Sequence, residues 1–546
     1  MHYFLKDDRD IRFIFIFWIG LLVIMLVRSF FFGITYFHFL DDYNTYGVFF
    51  RRNYDIFNEI ILYYRHFTWR PFAFFADAYI TQWFWPNMWV VLLFYTLMHF
   101  ATVLLFHKVM VLSKLNFGLF GIIIISLTPL LAEAVYWIGA STRLVAGMFF
   151  SILSVYFLLI YISRSDYITQ KRYLVLYILF NLLSLGFYEQ VISFNLVFTL
   201  FIIFLNLDRK YYYKKIVFFT PIFGTILISI YYLVMSPFGR VGERANIIEF
   251  SEVFLHFFRT SLAFGNLLIV TNYEISINGL IRGISLMSSI FGIAILLLLI
   301  IYTTFVFLSY SRTYIAFENE YDERFLLRII FAIVITIAAI APFYLLQPQA
   351  LPPRIVYPAI FGISIFLDTI LSIISTKKAL KFLKPVISVI FIIPFFIIYI
   401  AEVNNYRLLE ETDTLIMGNF LEAFEVSAYS DQNSIILLNT LYTFSDVTGG
   451  GNQHRLENIT SSDWAFLGKA NATSRLFYFR DIQPIQDNRQ IPVNLVDNGY
   501  IFGLDEDLSV FRLENRTGRL YIYSTNITFG LLNQYDSQNY TFVRIQ

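Results

Sequence analysis

Long apolar stretches separated by short polar ones run through the first three quarters of the chain. A helix needs about 20 predominantly apolar residues to cross the ~30 Å hydrocarbon core of a bilayer. By this measure the pattern predicts eleven membrane-spanning helices. They lie at about 13–34, 88–107, 117–132, 144–162, 173–187, 191–206, 216–235, 285–309, 329–346, 356–375 and 385–402.

Two connecting segments are much longer than the others. Residues 37–87 form a first loop that is too apolar for a free linker, which predicts helices lying along the membrane surface. Residues 236–284 form a second long loop, which begins with proline and glycine and continues as an amphipathic stretch.

The pattern changes after residue 402. Residues 403–546 are polar and rich in asparagine, with a helical pattern at 407–428 and short runs that predict strands. These runs lie at Ser434–Leu438, 475–479, 508–512 and 519–524. The predicted fold class is therefore an all-α polytopic membrane protein over residues 1–402, followed by a small α+β domain over residues 403–546.

The distribution of lysine predicts which loops face the cytoplasm. Every lysine of residues 1–402 precedes the first span or lies in alternate loops, and the positive-inside rule makes that side cytoplasmic. These lysines are Lys6, Lys108, Lys114, Lys171, Lys210, Lys214, Lys215, Lys377, Lys378, Lys381 and Lys384. The N-terminus is then inside, and an odd number of spans places the 403–546 domain outside the cytoplasm. The opposite loops hold no lysine but several arginines, whose planar fork suits phosphate recognition.

Composition supports the membrane assignment and narrows the chemistry. Of the 546 residues, 58% are hydrophobic and 14% are charged, whereas soluble domains contain about 25% charged residues. The absence of cysteine excludes disulfides, thiolate metal sites and a cysteine nucleophile. No acidic or histidine cluster has metal-ligand spacing, so we expect no required metal or other cofactor. The net charge of +1 gives no reason to expect a nucleic-acid partner, and we expect none.

The first candidate for chemistry is the adjacent pair Asp41 and Asp42, directly after the first span on the predicted outer side. Two carboxylates at a membrane interface are costly and need a reason. One reason is to remove the proton from a hydroxyl acceptor. The alternative is a structural one, since aspartate is also favoured as an interfacial helix cap.

Further acids and arginines fall in the first loop and in the other predicted outer loops. Singly, each has a structural explanation, because an acid can lie on the surface and an arginine can extend to the interface. All of them lie on the same predicted side of the membrane, however. Acids and arginines together at one membrane face indicate a site that binds an anionic, lipid-linked substrate and holds a catalytic base next to it. The candidates are Arg70, Glu133, Arg143, Glu189 and Arg354, together with Tyr357 at the start of the span predicted at 356–375.

Four motifs in this order resemble those of the GT-C glycosyltransferases, and in particular the transmembrane O-mannosyltransferases that carry tetratricopeptide repeats. The motifs are Phe-Leu-Asp-Asp at 39–42 with Trp-Arg-Pro-Phe at 69–72, Pro-Leu-Leu-Ala-Glu-Ala-Val at 129–135, Tyr-Glu-Gln at 188–190 and Arg-Ile-Val-Tyr-Pro at 354–358. Two features depart from the family. Tyr188 stands where a basic residue is expected, and no tetratricopeptide repeats follow the membrane domain.

The resemblance implies a GT-C-like membrane domain that uses a sugar carried on polyprenyl phosphate. It implies transfer to a hydroxyl group outside the cytoplasm with inversion at the sugar. Asp41 is then expected to be the catalytic base, with Asp42 its neighbour and Glu133 a supporting acid. Arg354 is expected to contact the donor phosphate, with Arg143 a weaker candidate. The remaining substrate-binding candidates are Arg70, Glu189 and Tyr357.

We expect the setting to be a bacterial plasma membrane, with membrane lipid around the protein and a glycan, lipid or protein as the acceptor. Two other functions stay open: a transporter or flippase of lipid-linked sugars, and a polymerase or ligase of envelope glycans. A transporter is expected to place polar residues along a path near the bilayer midplane. The concentration of acids and arginines in predicted outer loops favours the transferase.

Overall fold

A computed structural model gives the fold. It describes residues 8–40, 42–43, 70–85, 87–163, 167–206, 215–235, 252–317, 324–345, 351–375 and 382–426, residues 465 and 469, and five strands between 434 and 544. The chain divides into two compact units. Unit 1 comprises Met1–Thr35, Ile60–Asp77 and Asn87–Val403, and unit 2 comprises Tyr36–Glu59, Ala78–Pro86 and Asn404–Gln546.

The described part of residues 1–426 is mainly helical. Its α-helices are α1 Asp8–Ser29, α2 Pro71–Phe84, α3 Trp89–Leu112, α4 Leu119–Leu127, α5 Ala132–Tyr136, α6 Ile138–Ser163, α7 Tyr167–Ser184, α8 Glu189–Leu205, α9 Lys215–Met235, α10 Val253–Asn266, α11 Asn272–Leu286, α12 Ile290–Phe317, α13 Phe325–Leu345, α14 Val356–Ser375, α15 Leu383–Ile390 and α16 Ile392–Val426. Short 3-10 turns at Pro129–Leu131 and Pro353–Ile355 precede α5 and α14, and a π-helix at Leu267–Thr271 joins α10 to α11.

Eight helical segments of the described residues are long and apolar enough to cross a membrane, which fits an integral multi-pass membrane protein. They are Arg12–Ser29, Trp89–Leu112, Ile138–Ser163, Phe254–Leu286, Ile290–Ser309, Phe325–Tyr344, Pro353–Ser375 and Leu383–Leu415. A pair of helices, Leu119–Leu127 and Pro129–Tyr136, bends by 42° and counts as a ninth if it forms one broken span. Proline at the bend has no backbone N–H to continue the helix, which accounts for the break.

The prediction of eleven spans differs from this result at four places. The stretch predicted at 173–187 is a helix that is not among these segments, and the stretches predicted at 191–206 and 216–235 are apolar helices whose described parts, Glu189–Leu205 and Ile216–Tyr231, are shorter than a span. Conversely, Phe254–Leu286 lies in the stretch predicted as an outer loop. The cytoplasmic position of the N-terminus and the outer position of the tail depend on the number of spans, and both remain predictions.

The centre of unit 1 is an aromatic core contributed by three helices. Phe106 of α3 packs against Phe198 of α8 and Phe361 of α14, with ring centroids 5.9 and 4.9 Å apart, and all three side chains are fully buried. The next residue, Gly362, lets α14 approach α13 closely. A Cβ atom there would lie 2.6 Å from the carbonyl oxygen of Ala332. This packing holds α14, whose preceding turn carries Arg354.

A buried ionic group joins the N-terminal ends of three elements in unit 1. Asp368 of α14 accepts hydrogen bonds from Arg328 Nη2 at 3.2 Å and from the backbone N–H of Gly118 at 2.9 Å. Its other carboxylate oxygen lies 4.0 Å from Lys384 Nζ. The three charged side chains are nearly inaccessible to solvent, and the single carboxylate of Asp368 is close to both buried cations.

Replacing Asp368 with asparagine is expected to destabilise the folded protein by about 3 kcal/mol, because two buried cations lose their shared anion. The measurement is thermal unfolding of the purified protein in detergent. The matched control is Glu411→Gln, which breaks an ion pair between Arg407 and the exposed Glu411 and is expected to cost less than about 0.5 kcal/mol. Equal unfolding midpoints for the two variants would contradict this role of Asp368.

The described strands belong to unit 2 and form one mixed sheet of order β2-β1-β3-β4-β5. They are β1 Ser434–Leu438, β2 Gln483–Gln486, β3 Tyr500–Leu504, β4 Val510–Asn515 and β5 Tyr540–Arg544. Pairing of β1 with β2 and β3 is parallel, and the remaining pairs are antiparallel.

Only some of the strands predicted in residues 403–546 fall within the described residues. A strand lies at Ser434–Leu438 as predicted, β4 overlaps the strand predicted at 508–512, and the strands predicted at 475–479 and 519–524 lie outside the described residues. Helix α16 runs through residue 402 to Val426 without a break, so the predicted boundary falls inside a helix. An α+β domain over 403–546 remains a prediction.

Candidate functional site

The predicted site residues Glu133 and Arg354 are partners in unit 1. Glu133 lies in the first turn of α5, and Arg354 lies in the 3-10 turn Pro353–Ile355. The backbone N–H of Arg354 donates to Glu133 Oε2 at 3.1 Å, and its guanidinium Nη1 donates to Oε1 of the same carboxylate. The guanidinium carbon also lies 5.1 Å from the ring centroid of Trp137. The Arg354 side chain contacts the carboxylate and the ring and is still 27% exposed, so a ligand can reach it.

Arg70 and Glu189 form a second pair. Glu189 begins α8, where a negative charge interacts favourably with the helix dipole. Arg70 Nε and Nη2 each lie 3.1 Å from a different oxygen of this carboxylate. The guanidinium carbon of Arg70 lies 4.2 Å from the ring centroid of Tyr188. Tyr188, which replaces the basic residue expected from the resemblance, therefore packs against a cation supplied by another part of the chain.

Backbone and side-chain hydrogen bonds connect these two pairs. Gln190 Nε2 donates to the carbonyl oxygens of Ile355 at 3.0 Å and Ala339 at 2.8 Å. The backbone N–H of Phe72 donates to the carbonyl oxygen of Gly186 at 3.0 Å. The four sequence motifs are thus represented in one connected group of unit 1, although they are far apart in sequence. We call this group the motif cluster: Arg70, Glu133, Trp137, Glu189, Gln190 and Arg354.

Arg143 has a different partner. Its Nη2 lies 3.6 Å from Asp77 Oδ2, and both side chains are mostly buried. Asp77 was not among the residues singled out from sequence. The available signal was its position as a single acid in the otherwise apolar helix α2.

Tyr357 lies in the interior of unit 1 and not with the exposed side chain of Arg354. It is fully buried, and its hydroxyl lies 2.8 Å from Nδ1 of the equally buried His99 on α3. As a substrate-binding residue it would act in the interior of the helical unit.

The acidic pair of the first loop belongs to unit 2, and Asp41 lies outside the described residues. Asp42 is buried, and its Oδ2 accepts hydrogen bonds from Tyr36 Oη at 2.5 Å and the backbone N–H of Phe39 at 3.0 Å. The N–H of Asp42 in turn donates to the carbonyl oxygen of Phe39 at 2.8 Å. Leu40, inside this turn, has a φ of 21°, which is uncommon for a residue with a side chain. The Asp42 carboxylate therefore stabilises the local backbone at Phe39 and the position of the Tyr36 side chain, which is a structural role.

A histidine–carboxylate pair in unit 2 was missed by sequence reasoning. His38 Nδ1 lies 2.5 Å from Glu410 Oε1, and its ring centroid lies 4.1 Å from that of Trp85. A carboxylate on one ring nitrogen orients an imidazole and sets its tautomer. His38 precedes Asp41 by three residues, but no sequence signal pairs it with a glutamate 372 positions away.

The only lysine of the predicted tail also lies in the interior of unit 2. Lys469 Nζ donates to Tyr43 Oη at 3.0 Å and to Thr414 Oγ1 at 3.2 Å. Burial lowers the pKa of Lys469, and the carboxylates of Asp413 and Glu410 oppose that change. Burial raises the pKa of Tyr43 well above its ordinary value, and the same two acids and Asp42 raise it further. Tyr43 is therefore a neutral phenol that can accept this hydrogen bond.

No group of three or more histidine, aspartate or glutamate side chains among the described residues is arranged to hold a metal ion. The expectation that the protein requires no metal or other cofactor remains a prediction. Comparisons of the chain with protein-family models, with curated proteins and with solved structures gave no match.

Proposed function

We propose that this chain is a GT-C-type membrane glycosyltransferase. It moves a sugar from a polyprenyl-phosphate-linked donor to a hydroxyl group of a glycan, lipid or protein acceptor. The transfer inverts the configuration of the sugar and takes place on the extracytoplasmic side of a bacterial plasma membrane. The C-terminal residues 403–546 then form an extracytoplasmic α+β domain.

The observation that carries the proposal is the motif cluster. Residues from four separate stretches of the sequence are joined by ion pairs and hydrogen bonds within unit 1. Each pair includes an arginine that is partly exposed, and such guanidinium groups bind phosphate oxygens with two hydrogen bonds. An anionic substrate at this cluster accounts for arginines in loops that contain no lysine.

The proposed reaction needs a base and a group that stabilises the leaving phosphate. Asp41, by the resemblance, accepts the proton of the acceptor hydroxyl, and the oxygen forms a bond to the anomeric carbon. The bond between that carbon and the phosphate oxygen breaks, and the electron pair leaves with the polyprenyl phosphate. Arg354 stabilises the charge that grows on this phosphate. Attack opposite to the leaving group inverts the sugar.

Glu133 supports this reaction by holding Arg354. Its carboxylate contacts both the backbone N–H and the guanidinium of that residue, which limits the positions open to the arginine side chain. Positioning of a binding group is itself a source of rate enhancement.

Replacing Glu133 with glutamine is therefore expected to reduce sugar transfer about tenfold, less than a loss of the arginine itself. Glutamine has nearly the same size and keeps one oxygen that can accept from Arg354, but it loses the charge. The measurement is the initial rate of transfer at several donor concentrations. A loss as large as that of Arg354→Ala would instead assign Glu133 a direct part in the reaction.

The test of the proposed function uses purified protein in lipid nanodiscs with a radiolabelled polyprenyl-phosphate sugar and a mixture of envelope acceptors. Transfer of the labelled sugar from the lipid-linked donor to an acceptor supports the proposal. The matched control is Arg407→Ala, which removes a partly exposed arginine outside the motif cluster and should leave the rate unchanged. Movement of intact donor across the membrane without any transfer would favour a flippase, and polymer growth from lipid-linked units would favour a polymerase.

A further inference from the structure

Two consecutive residues at the start of α8 contact the segments that carry the two arginines of the motif cluster. Glu189 pairs with Arg70, and the next residue, Gln190, is fully buried and is bonded to the turn that carries Arg354. Successive residues of a helix lie about 100° apart around its axis. One side chain can therefore face a partly exposed arginine while its neighbour faces the interior.

Gln190 joins the Arg354 turn to a second helix. Its Nε2 donates to the carbonyl oxygen of Ile355, the residue after Arg354, at 3.0 Å. The same nitrogen donates to the carbonyl oxygen of Ala339 on α13 at 2.8 Å. A side-chain amide has two N–H groups, so the two carbonyls can take both. The turn is thereby connected to α8 and α13 at once.

The other end of the Gln190 amide indicates that this residue does not serve stability alone. Its Oε1 atom is buried and has no hydrogen-bond partner in the described part of the chain. A buried oxygen without a partner lowers the free energy of unfolding. An apolar side chain of the same length would remove that oxygen but could not hold the turn. Such departures from the most stable choice concentrate at functional sites.

The backbone of the Arg354 turn is bonded on both its N–H and its C=O side. Glu133 accepts a hydrogen bond from the backbone N–H of Arg354, and Gln190 donates one to the carbonyl oxygen of Ile355. A displacement of about 1 Å of a group that contacts the substrate can lower a reaction rate by about 100-fold. The orientation of the turn therefore matters for any reaction that uses the Arg354 guanidinium.

We propose that Gln190 is a positioning residue for Arg354. It holds the turn Pro353–Ile355 in the orientation that makes the guanidinium available to the substrate. Gln190 is itself fully buried, and it acts through the backbone of the turn. This inference deepens the proposed function and rests on it for the reaction that Arg354 serves.

The experiment is a double-mutant cycle of Gln190→Met with Arg354→Ala, measured as the rate of sugar transfer. Methionine has a similar length and a similar helix preference, but it cannot donate to the two carbonyls. Alone, Gln190→Met is expected to reduce transfer about tenfold to 100-fold. In a protein that already lacks the Arg354 side chain it should cause little further loss, because it acts only through that side chain. Equal losses in the two backgrounds would overturn the inference, since they assign Gln190 a general structural role.

The matched control is Asn195→Leu, which removes another fully buried amide from α8. The Oδ1 atom of Asn195 accepts a hydrogen bond from Ser151 Oγ on α6 at 3.0 Å. Any loss of transfer in this variant should be the same with and without the Arg354 side chain. A control that loses its effect in the Arg354→Ala background would overturn the inference, because the coupling would then not be specific to Gln190.

Hydrogen–deuterium exchange tests the contact without an assay of transfer. The backbone N–H of Arg354 is bonded to Glu133 Oε2 at 3.1 Å. In Gln190→Met the peptide that contains this amide should exchange about tenfold faster than in wild type, because the turn opens more often. In Asn195→Leu it should exchange at the wild-type rate. An unchanged exchange rate in Gln190→Met would overturn the inference.

A second variant covers the case in which Gln190→Met does not fold. Gln190→Asn keeps the amide on a side chain one methylene shorter, which cannot reach both carbonyls, and the same two measurements apply to it. Wild-type exchange in this variant would also overturn the inference. Wild-type protein that never transfers a sugar, together with faster exchange in Gln190→Met, would remove the proposed function and leave the contact of Gln190 with the Arg354 turn standing.

Discussion

Replacing Asp41 with asparagine is expected to reduce the rate of sugar transfer about 10²–10⁴-fold, the usual contribution of a general base. Asparagine keeps the size of the side chain but cannot accept the proton of the acceptor hydroxyl. Donor binding should be little changed, because the carboxylate acts on the acceptor. The measurement is the turnover rate at saturating donor, together with donor affinity from the concentration dependence.

The matched control is Asp42→Asn, which makes the same change at the next position. The Asp42 carboxylate is buried and accepts hydrogen bonds from the Tyr36 hydroxyl and the Phe39 backbone N–H. Its loss should therefore lower thermal stability by about 1–3 kcal/mol, whereas Asp41→Asn should unfold at a temperature close to that of wild type. Full activity in Asp41→Asn with loss in a folded Asp42→Asn would move the base by one residue. Full activity in both variants would remove the enzymatic interpretation of this loop.

Replacing Arg354 with alanine is expected to reduce transfer about 10²–10³-fold, as for the loss of a group that stabilises developing charge. The guanidinium pairs with the Glu133 carboxylate and lies 5.1 Å from the Trp137 ring centroid, and these two contacts limit the positions open to it. Both the turnover rate and the apparent donor affinity should fall, because the phosphate is present before and after the bond breaks. Steady-state rates over a range of donor concentrations separate the two effects.

Arg354→Lys tests whether geometry matters in addition to charge. Lysine keeps the positive charge but cannot contact two phosphate oxygens and the Trp137 ring in the same way, so this variant should also be impaired. Arg407→Ala serves as the comparison, since it removes an arginine whose partner Glu411 is exposed. Wild-type donor affinity and turnover in Arg354→Ala would show that the phosphate is bound elsewhere.

The membrane character of this chain could be predicted from the sequence because lipid offers the backbone no hydrogen-bond partners, so a spanning segment must be a continuous apolar helix. The exact set of membrane-spanning helices could not be predicted from the sequence. Arg259, Glu274 and Arg282 interrupt the apolar pattern of residues 253–286, which therefore resembles an amphipathic surface segment. In the structure these residues form nearly continuous helix, and Arg282 pairs with Glu402 at 3.5 Å. A charge that has a partner on another helix is compatible with a long membrane-spanning helix, and sequence does not show that partner.

By itself, the sequence determined the residue types of the candidate site and the loops that carry them, since acids and arginines stand out against apolar surroundings. The tertiary structure alone decided the pairing: Glu133 with Arg354, Glu189 with Arg70 and Asp77 with Arg143. Which charges meet depends on how distant helices pack, and the energy of that packing comes from apolar contacts spread over the whole core.

The same reason explains why three features were visible only in the fold. The Asp42 carboxylate stabilises a local turn, His38 pairs with Glu410, and Arg28 is enclosed beside Tyr399. In sequence, an arginine at the end of a span is compatible with a side chain that extends to the interface. Whether it reaches water or stays buried is decided by the neighbouring helix that covers it, and only the tertiary structure places that helix.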